Sequence, residues 1–169
     1  MVYRIAAETG LRASEIDALC IKDFNIKKGF VELPGEFTKN GQDALLPLKQ
    51  STIEKLKGFF RGRKRDQKAF KMPYLSNCAK MIRKDLTDAK ITIDKDRGTV
   101  GFHSLRHSFG SMLAASGVHP KTAQQLMRHS DINLTMSRYT HIFRGQETEA
   151  INKLPDLDMP TQSQQNKIA

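Results

Sequence analysis

Three short stretches of this chain hold side chains suited to gripping phosphate and moving protons. The first is His103-Ser104-Leu105-Arg106-His107. On a helix, positions i, i+3 and i+4 share one face, so His103, Arg106 and His107 would meet a common partner. An arginine fork beside an imidazole can bind phosphate oxygens two at a time and transfer a proton near neutral pH. A His pair at i and i+4 could also hold zinc. The Glu of the zinc-protease pattern is missing, because position 104 is Ser, and no Cys lies nearby. The second stretch is Thr9-Gly10-Leu11-Arg12-Ala13-Ser14-Glu15-Ile16. A Gly turn presents Arg12 just before a helix begins, and Glu15 is placed to pair with a basic side chain or to cap that helix. Read alone, this is a surface arginine beside a cap. The third stretch runs Leu126-Met127-Arg128-His129-Ser130-Asp131-Ile132-Asn133 and continues through Met136-Ser137-Arg138-Tyr139-Thr140-His141. An isolated Tyr between helices is usually a packing residue with a satisfied hydroxyl.

The elements that must carry these residues follow from periodicity. Residues 1–8 read as the end of a helix interrupted by Thr9-Gly10, and Ala13 to Cys20 as a short helix with Ile16, Leu19 and Cys20 on one side. Lys22 to Leu33 reads as strands that turn at Lys27-Lys28-Gly29. Phe37 to Leu48 reads as a hairpin with Lys39-Asn40-Gly41 as its turn, and Pro47 suits an edge strand. Helices then dominate. They are expected over Ser51 to Phe60 with Ser51 as N-cap, over Ser76 to Lys90, and from His103 to Ser116 before Gly117. Others are expected from Pro120 to Arg128, Ile132 to Tyr139 and Arg144 to Leu154. A small sheet followed by many helices is an α+β fold: mainly helical, with a small antiparallel β-sheet near the N-terminus. We expect one domain over residues 1–154 and a disordered tail over 155–169, which is rich in Gln, Asp, Pro and Thr.

The formal net charge is +10, from 28 Lys and Arg against 18 Asp and Glu, which favours a polyanionic partner. The segment from Lys49 to Lys71 holds nine basic and two acidic residues. Its densest part contains Arg61, Arg63, Lys64 and Arg65. These read either as a solvated helix end and loop or as DNA-backbone contacts, a role for which Arg128 is also a candidate. Cys20 and Cys78 stand far apart in no motif, which fits a reducing compartment. No apolar run approaches the ~20 residues that span a bilayer, and the first residues carry no signal-peptide pattern. A soluble cytoplasmic protein with no membrane partner is expected.

Singly, each motif has an ordinary structural explanation. In this order they resemble the tyrosine recombinases of the phage integrase family: Gly-Leu-Arg-x-Ser-Glu, then His-x-Leu-Arg-His, then Met-x-His-Ser-Asp-Ile-x-x-Thr-x-x-x-Tyr. The resemblance runs from about Thr9 to His141 and is most specific over its last forty residues. It implies a catalytic domain that cuts and rejoins double-stranded DNA through a covalent 3′-phosphotyrosyl link, with Tyr139 as nucleophile. Arg12 and Arg106 would clamp the scissile phosphate, His103 and His129 would assist, and Lys39 in the hairpin turn would protonate the leaving 5′-oxygen. Glu15 and His107 match supporting positions. The resemblance implies no cofactor and no metal, a chain that is monomeric when free, and a tetrameric synapse on DNA. It also suggests that Ile142, Phe143, Ile151 and Leu154 dock in trans on a neighbouring subunit, or pack on their own domain.

Two departures stand out. Arg128 precedes His129 where many relatives have Gly, and nothing before Thr9 matches the N-terminal DNA-clamping domain of full-length relatives. Alone, the chain is therefore expected to bind DNA weakly and to cleave or nick at most. Three rival readings are a DNA-binding module without catalysis, a type IB topoisomerase, and a metal-dependent nuclease. The last would need clustered carboxylates, and the Asp and Glu here are scattered.

Overall fold

The structure is a computed structural model that describes residues 1–38, 40–94, 98–142 and 147–155, with only the backbone at 141, 142 and 147. Helices α1 (Val2–Thr9) and α2 (Ala13–Ala18) lead into three short strands, β1 (Phe24–Asn25), β2 (Phe30–Leu33) and β3 (Ala44–Pro47). Helices α3 (Gln50–Phe60), α4 (Cys78–Asp88), α5 (His103–Ala115), α6 (Pro120–Met127), α7 (Asn133–Ile142) and α8 (Glu147–Asn152) follow. This is the α+β arrangement the periodicities predict.

The sheet is antiparallel with order β1-β2-β3, so β3 is an edge and accommodates Pro47. Val31 pairs with Leu46, and Val31, Leu33 and Leu46 are all buried. The outgoing arm of the hairpin is β2 rather than a strand starting at Phe37. Gly35–Phe37 forms a 3₁₀ turn instead, held by the Gly35 amide donating to Asp43 Oδ1 at 2.6 Å. The cap of α3 also differs from expectation. Lys49 occupies the N-cap without a side-chain bond, and Ser51 lies inside the helix.

Burial divides into two apolar clusters. The larger joins α1, α2, the sheet and α3 through Ile5, Leu11, Ile16, Val31, Leu33 and Leu56. The smaller joins α5, α6 and α7 through Ala114, Ala123 and Tyr139, with Leu113 and Val118 against them. Helix α5 spans both, because it packs on α1 as well as on α6 and α7.

One glycine sets the approach between the halves. Gly10 closes α1 with φ 65°, and a Cβ there would stand 2.6 Å from Phe109 Cδ1 on α5. Gly10→Ala is expected to lose at least the roughly 1–2 kcal/mol of a left-handed alanine. A lower urea midpoint at unchanged slope would report it. An unchanged midpoint would refute the tight approach.

Candidate active site

Two turns and one helix build the site. The left-handed turn at Gly10 places Arg12 at the N-cap of α2. Glu15, at the third position of that helix, folds back on it. Its Oε2 accepts from the Arg12 amide at 2.7 Å, and its Oε1 accepts from Arg12 Nη1 at 2.8 Å. The second turn ends α6, where Arg128 adopts a left-handed conformation and donates from Nη2 to Glu15 Oε2 at 2.7 Å. Glu15 is only 1% exposed, so a buried carboxylate is shared by two arginines.

Arg106 enters from α5. Its Nη1 donates to the Gly10 carbonyl at 2.5 Å and its Nη2 to the Met127 carbonyl. It therefore ties the turn carrying Arg12 to the turn carrying Arg128 and His129. These two bonds occupy two of the five N–H donors of a guanidinium, leaving three. The side chain is 2% exposed, and burial, followed by repulsion from Arg12 and Arg128, brings it down to about 10. It stays charged at pH 7. Arg12, Arg106 and Arg128 surround one carboxylate, so two positive charges remain uncompensated.

The imidazoles line this cluster. His103 and His107 stack edge to face with centroids 4.7 Å apart, as their spacing on one helix face predicts. Arg106, on the same turn, points inward beneath them. His107 Nδ1 lies 2.8 Å from Arg138 Nη2, and His129 Nδ1 lies 2.9 Å from Thr135 Oγ1. Burial lowers all three histidines, and nearby guanidiniums lower them further, taking His129 to about 4. All three shifts favour the neutral ring.

The sign of the pH effect follows. An unfolded histidine titrates near ~6.5, above His129 in the fold. Between those values the unfolded chain binds the extra proton, so stability rises with pH. The contribution is complete above about pH 6.5 and is lost as pH falls towards 4. A melting temperature falling across this window in the wild type, and falling less in His129→Asn, is the expected result. A flat wild-type profile would refute it.

Tyr139 sits elsewhere. It lies within α7, not between helices, and is 5% exposed. Its ring packs in the smaller apolar cluster and its hydroxyl donates to the Val118 carbonyl. Burial pushes its phenol up. The structure thus brings together Arg12, Glu15, His103, Arg106, His107, Arg128 and His129, and packs Tyr139 against the α5–α6 turn.

Lys39 lies outside the described residues, as does Phe143, while Ile151 and Leu154 are exposed. Arg61, Lys64 and Arg65 are exposed. Arg63 closes its own loop instead, donating to the carbonyls of Lys68 and Ala69 and lying 5.3 Å over the Phe59 ring. Sequence reasoning missed the partnerships of Thr135 and Arg138. Thr135 was visible only as the threonine of the third motif, and Arg138 only as the neighbour of Tyr139. Among the described residues, no group of three or more His, Cys, Asp or Glu is placed to hold a metal ion, and no helix is long and apolar enough to cross a membrane.

The phage integrase family profile matches residues 1–145. The chain belongs to the phage integrase family. It is 31% identical to the tyrosine recombinase XerA of Pyrococcus furiosus over 152 residues, covering 86% of this chain and 50% of that protein. The chain spans about half the length of the curated relatives it matches. Its fold is similar to the catalytic domain of bacteriophage HP1 integrase, with a TM-score of 0.63 and 25% identity over 95% of this chain and 84% of that one. It is also similar to the Tn1549 transposon integrase in complex with transposon right end DNA, with a TM-score of 0.69 and 19% identity. That match covers 89% of this chain and 57% of the integrase.

Proposed function

We propose that this chain is the catalytic domain of a recombinase that breaks and rejoins double-stranded DNA through a 3′-phosphotyrosyl bond to Tyr139. The observation that carries the reading is the clustering of Arg12 and Arg106, with Arg128 sharing Glu15, beside His103 and His129. A phosphodiester is anionic, and its pentavalent transition state bears more charge on its oxygens. Fixed guanidinium donors stabilise that added charge without reorganising, and one such donor can be worth ~3–4 kcal/mol.

In this reading the Tyr139 oxygen attacks phosphorus, its proton passes to His103, and the bond to the 5′-oxygen breaks with its electrons on that oxygen. Lys39 protonates the leaving oxygen. Reversal by a 5′-hydroxyl rejoins the strand and frees the tyrosine, so bond energy is conserved and no nucleotide cofactor enters. The chemistry needs Tyr139 to leave the Val118 carbonyl and turn towards the arginines, so attack follows a movement of α7. A homotetrameric synapse and docking of the C-terminal segment on a neighbouring subunit complete the proposal.

The test is covalent capture. A pool of nicked duplexes of randomised sequence, in which the released strand diffuses away, should yield a protein–DNA adduct that survives denaturation. Retarded mobility without an adduct would leave only a DNA-binding module. Supercoil relaxation indifferent to sequence would point to a topoisomerase.

A further inference from the structure

Arg128 occupies a position that disfavours it. Its φ of 54° and ψ of 42° are left-handed, a region that costs a side-chain-bearing residue roughly 1–2 kcal/mol and that glycine enters freely. Among the described residues, Lys90 is the other non-glycine with positive φ. Arg128 also carries a second burden, because Nη1 is buried and has no hydrogen-bond partner. Neither feature helps the fold.

What the side chain does achieve is a link. Its Nη2 holds Glu15, and Glu15 holds both the backbone amide and the Nη1 of Arg12. The preceding carbonyl, that of Met127, accepts from Arg106, and the following residue is His129. Arg128 and His129 also line a cleft of about 700 Å³ between β3 and α6, whose walls include Gln42, Lys121 and Gln125. The turn that ends α6 therefore joins Arg12, through Arg128 and Glu15, to Arg106 on α5 and to His129.

We infer that Arg128 is a positioning residue: by sharing Glu15, it fixes Arg12 against Arg106 and His129 and keeps the phosphate pocket assembled before DNA arrives. The sharing has an electrostatic consequence as well. With Arg128 present, Glu15 divides between two guanidiniums and leaves Arg12 free to attract an anion. Without it, Glu15 would neutralise Arg12 alone. The inference rests on the strand-transfer reading above and goes beyond it, since a glycine would serve the turn better.

Arg128→Gly separates the two roles. It relieves the backbone and removes the orphaned donor, while Glu15 keeps both bonds from Arg12. The melting temperature should hold or rise, while adduct formation at saturating nicked duplex should fall about 30-fold or more. Arg128→Lys should stay within about 5-fold of wild type, because Glu15 takes a single N–H from Arg128, which an ammonium can supply. An Arg128→Gly, Glu15→Gln double variant should react no more slowly than Glu15→Gln alone, since both act through one carboxylate.

Arg128→Gly reacting within about 3-fold of wild type would overturn the inference. So would Arg128→Lys as slow as the glycine variant, which would place the guanidinium on the phosphate itself. A glycine variant melting more than about 10 °C lower would make the role structural and overturn it too. If the wild-type chain forms no adduct at all, the strand-transfer reading fails and the inference with it. A reactive wild type with an equally reactive glycine variant removes only the role of Arg128.

Discussion

Tyr139→Phe is expected to leave a folded protein that binds DNA and forms no covalent adduct, a loss on the order of 10³-fold or more, as for removal of other enzymatic nucleophiles. The ring is retained, so the packing against Ala114, Ala123, Leu113 and Val118 survives. Only the hydroxyl is lost, and with it the bond to the Val118 carbonyl, a change of about 1 kcal/mol. Thermal melting and gel mobility with duplex DNA should therefore match the wild type closely, while capture on nicked duplex disappears. Adduct persisting in the phenylalanine variant would show that another side chain is the nucleophile. His103 and His129 would then be the first to test.

Glu15→Ala should give the largest loss of stability in the site. The carboxylate is 1% exposed and accepts from Arg12 and Arg128, while Arg106 stands close enough to feel its charge. Removing it leaves guanidiniums facing one another in a half-dry pocket and removes the side chain that accepts from the α2 N-cap amide. Breaking a buried ion pair from one side costs about 3–5 kcal/mol. Chemical denaturation should show that loss. Added sulfate should recover part of it, because an anion binding only the folded form stabilises it by mass action. A loss below about 1 kcal/mol would mean that the arginines relax into solvent and that the cluster is not preorganised.

What could be read from the sequence was local. The Gly10 turn before Arg12, the start of α6 at Pro120 and the end of α5 before Gly117 all follow from backbone preferences of single residues. The shared face of His103 and His107 follows from helical spacing. The pairing of Glu15 with Arg128 joins positions far apart in the chain, and no local rule selects that partner for Glu15. Arg106 shows a second limit. Its spacing put it beside two histidines, but its partners are carbonyls at the ends of α1 and α6, fixed only when those helices pack on α5. The Lys49 cap and the β2 arm of the hairpin were misplaced for a similar reason. Ser51 and Phe37 have suitable propensities, but the pairing of Leu33 with Ala44 ends the hairpin arm before Phe37, and α3 begins one residue before Ser51.

The smaller apolar cluster is poor in large side chains: Ala114, Ala123 and the Tyr139 ring are its buried members. In the proposed reaction Tyr139 leaves this seat, and the methyls it covers would then face an empty space. Restoring a ring of that size to an apolar seat is worth roughly 2 kcal/mol. That difference acts as a recoil spring. In the proposed reaction it would oppose each strike and draw the side chain home once the strand is resealed, with no external trigger.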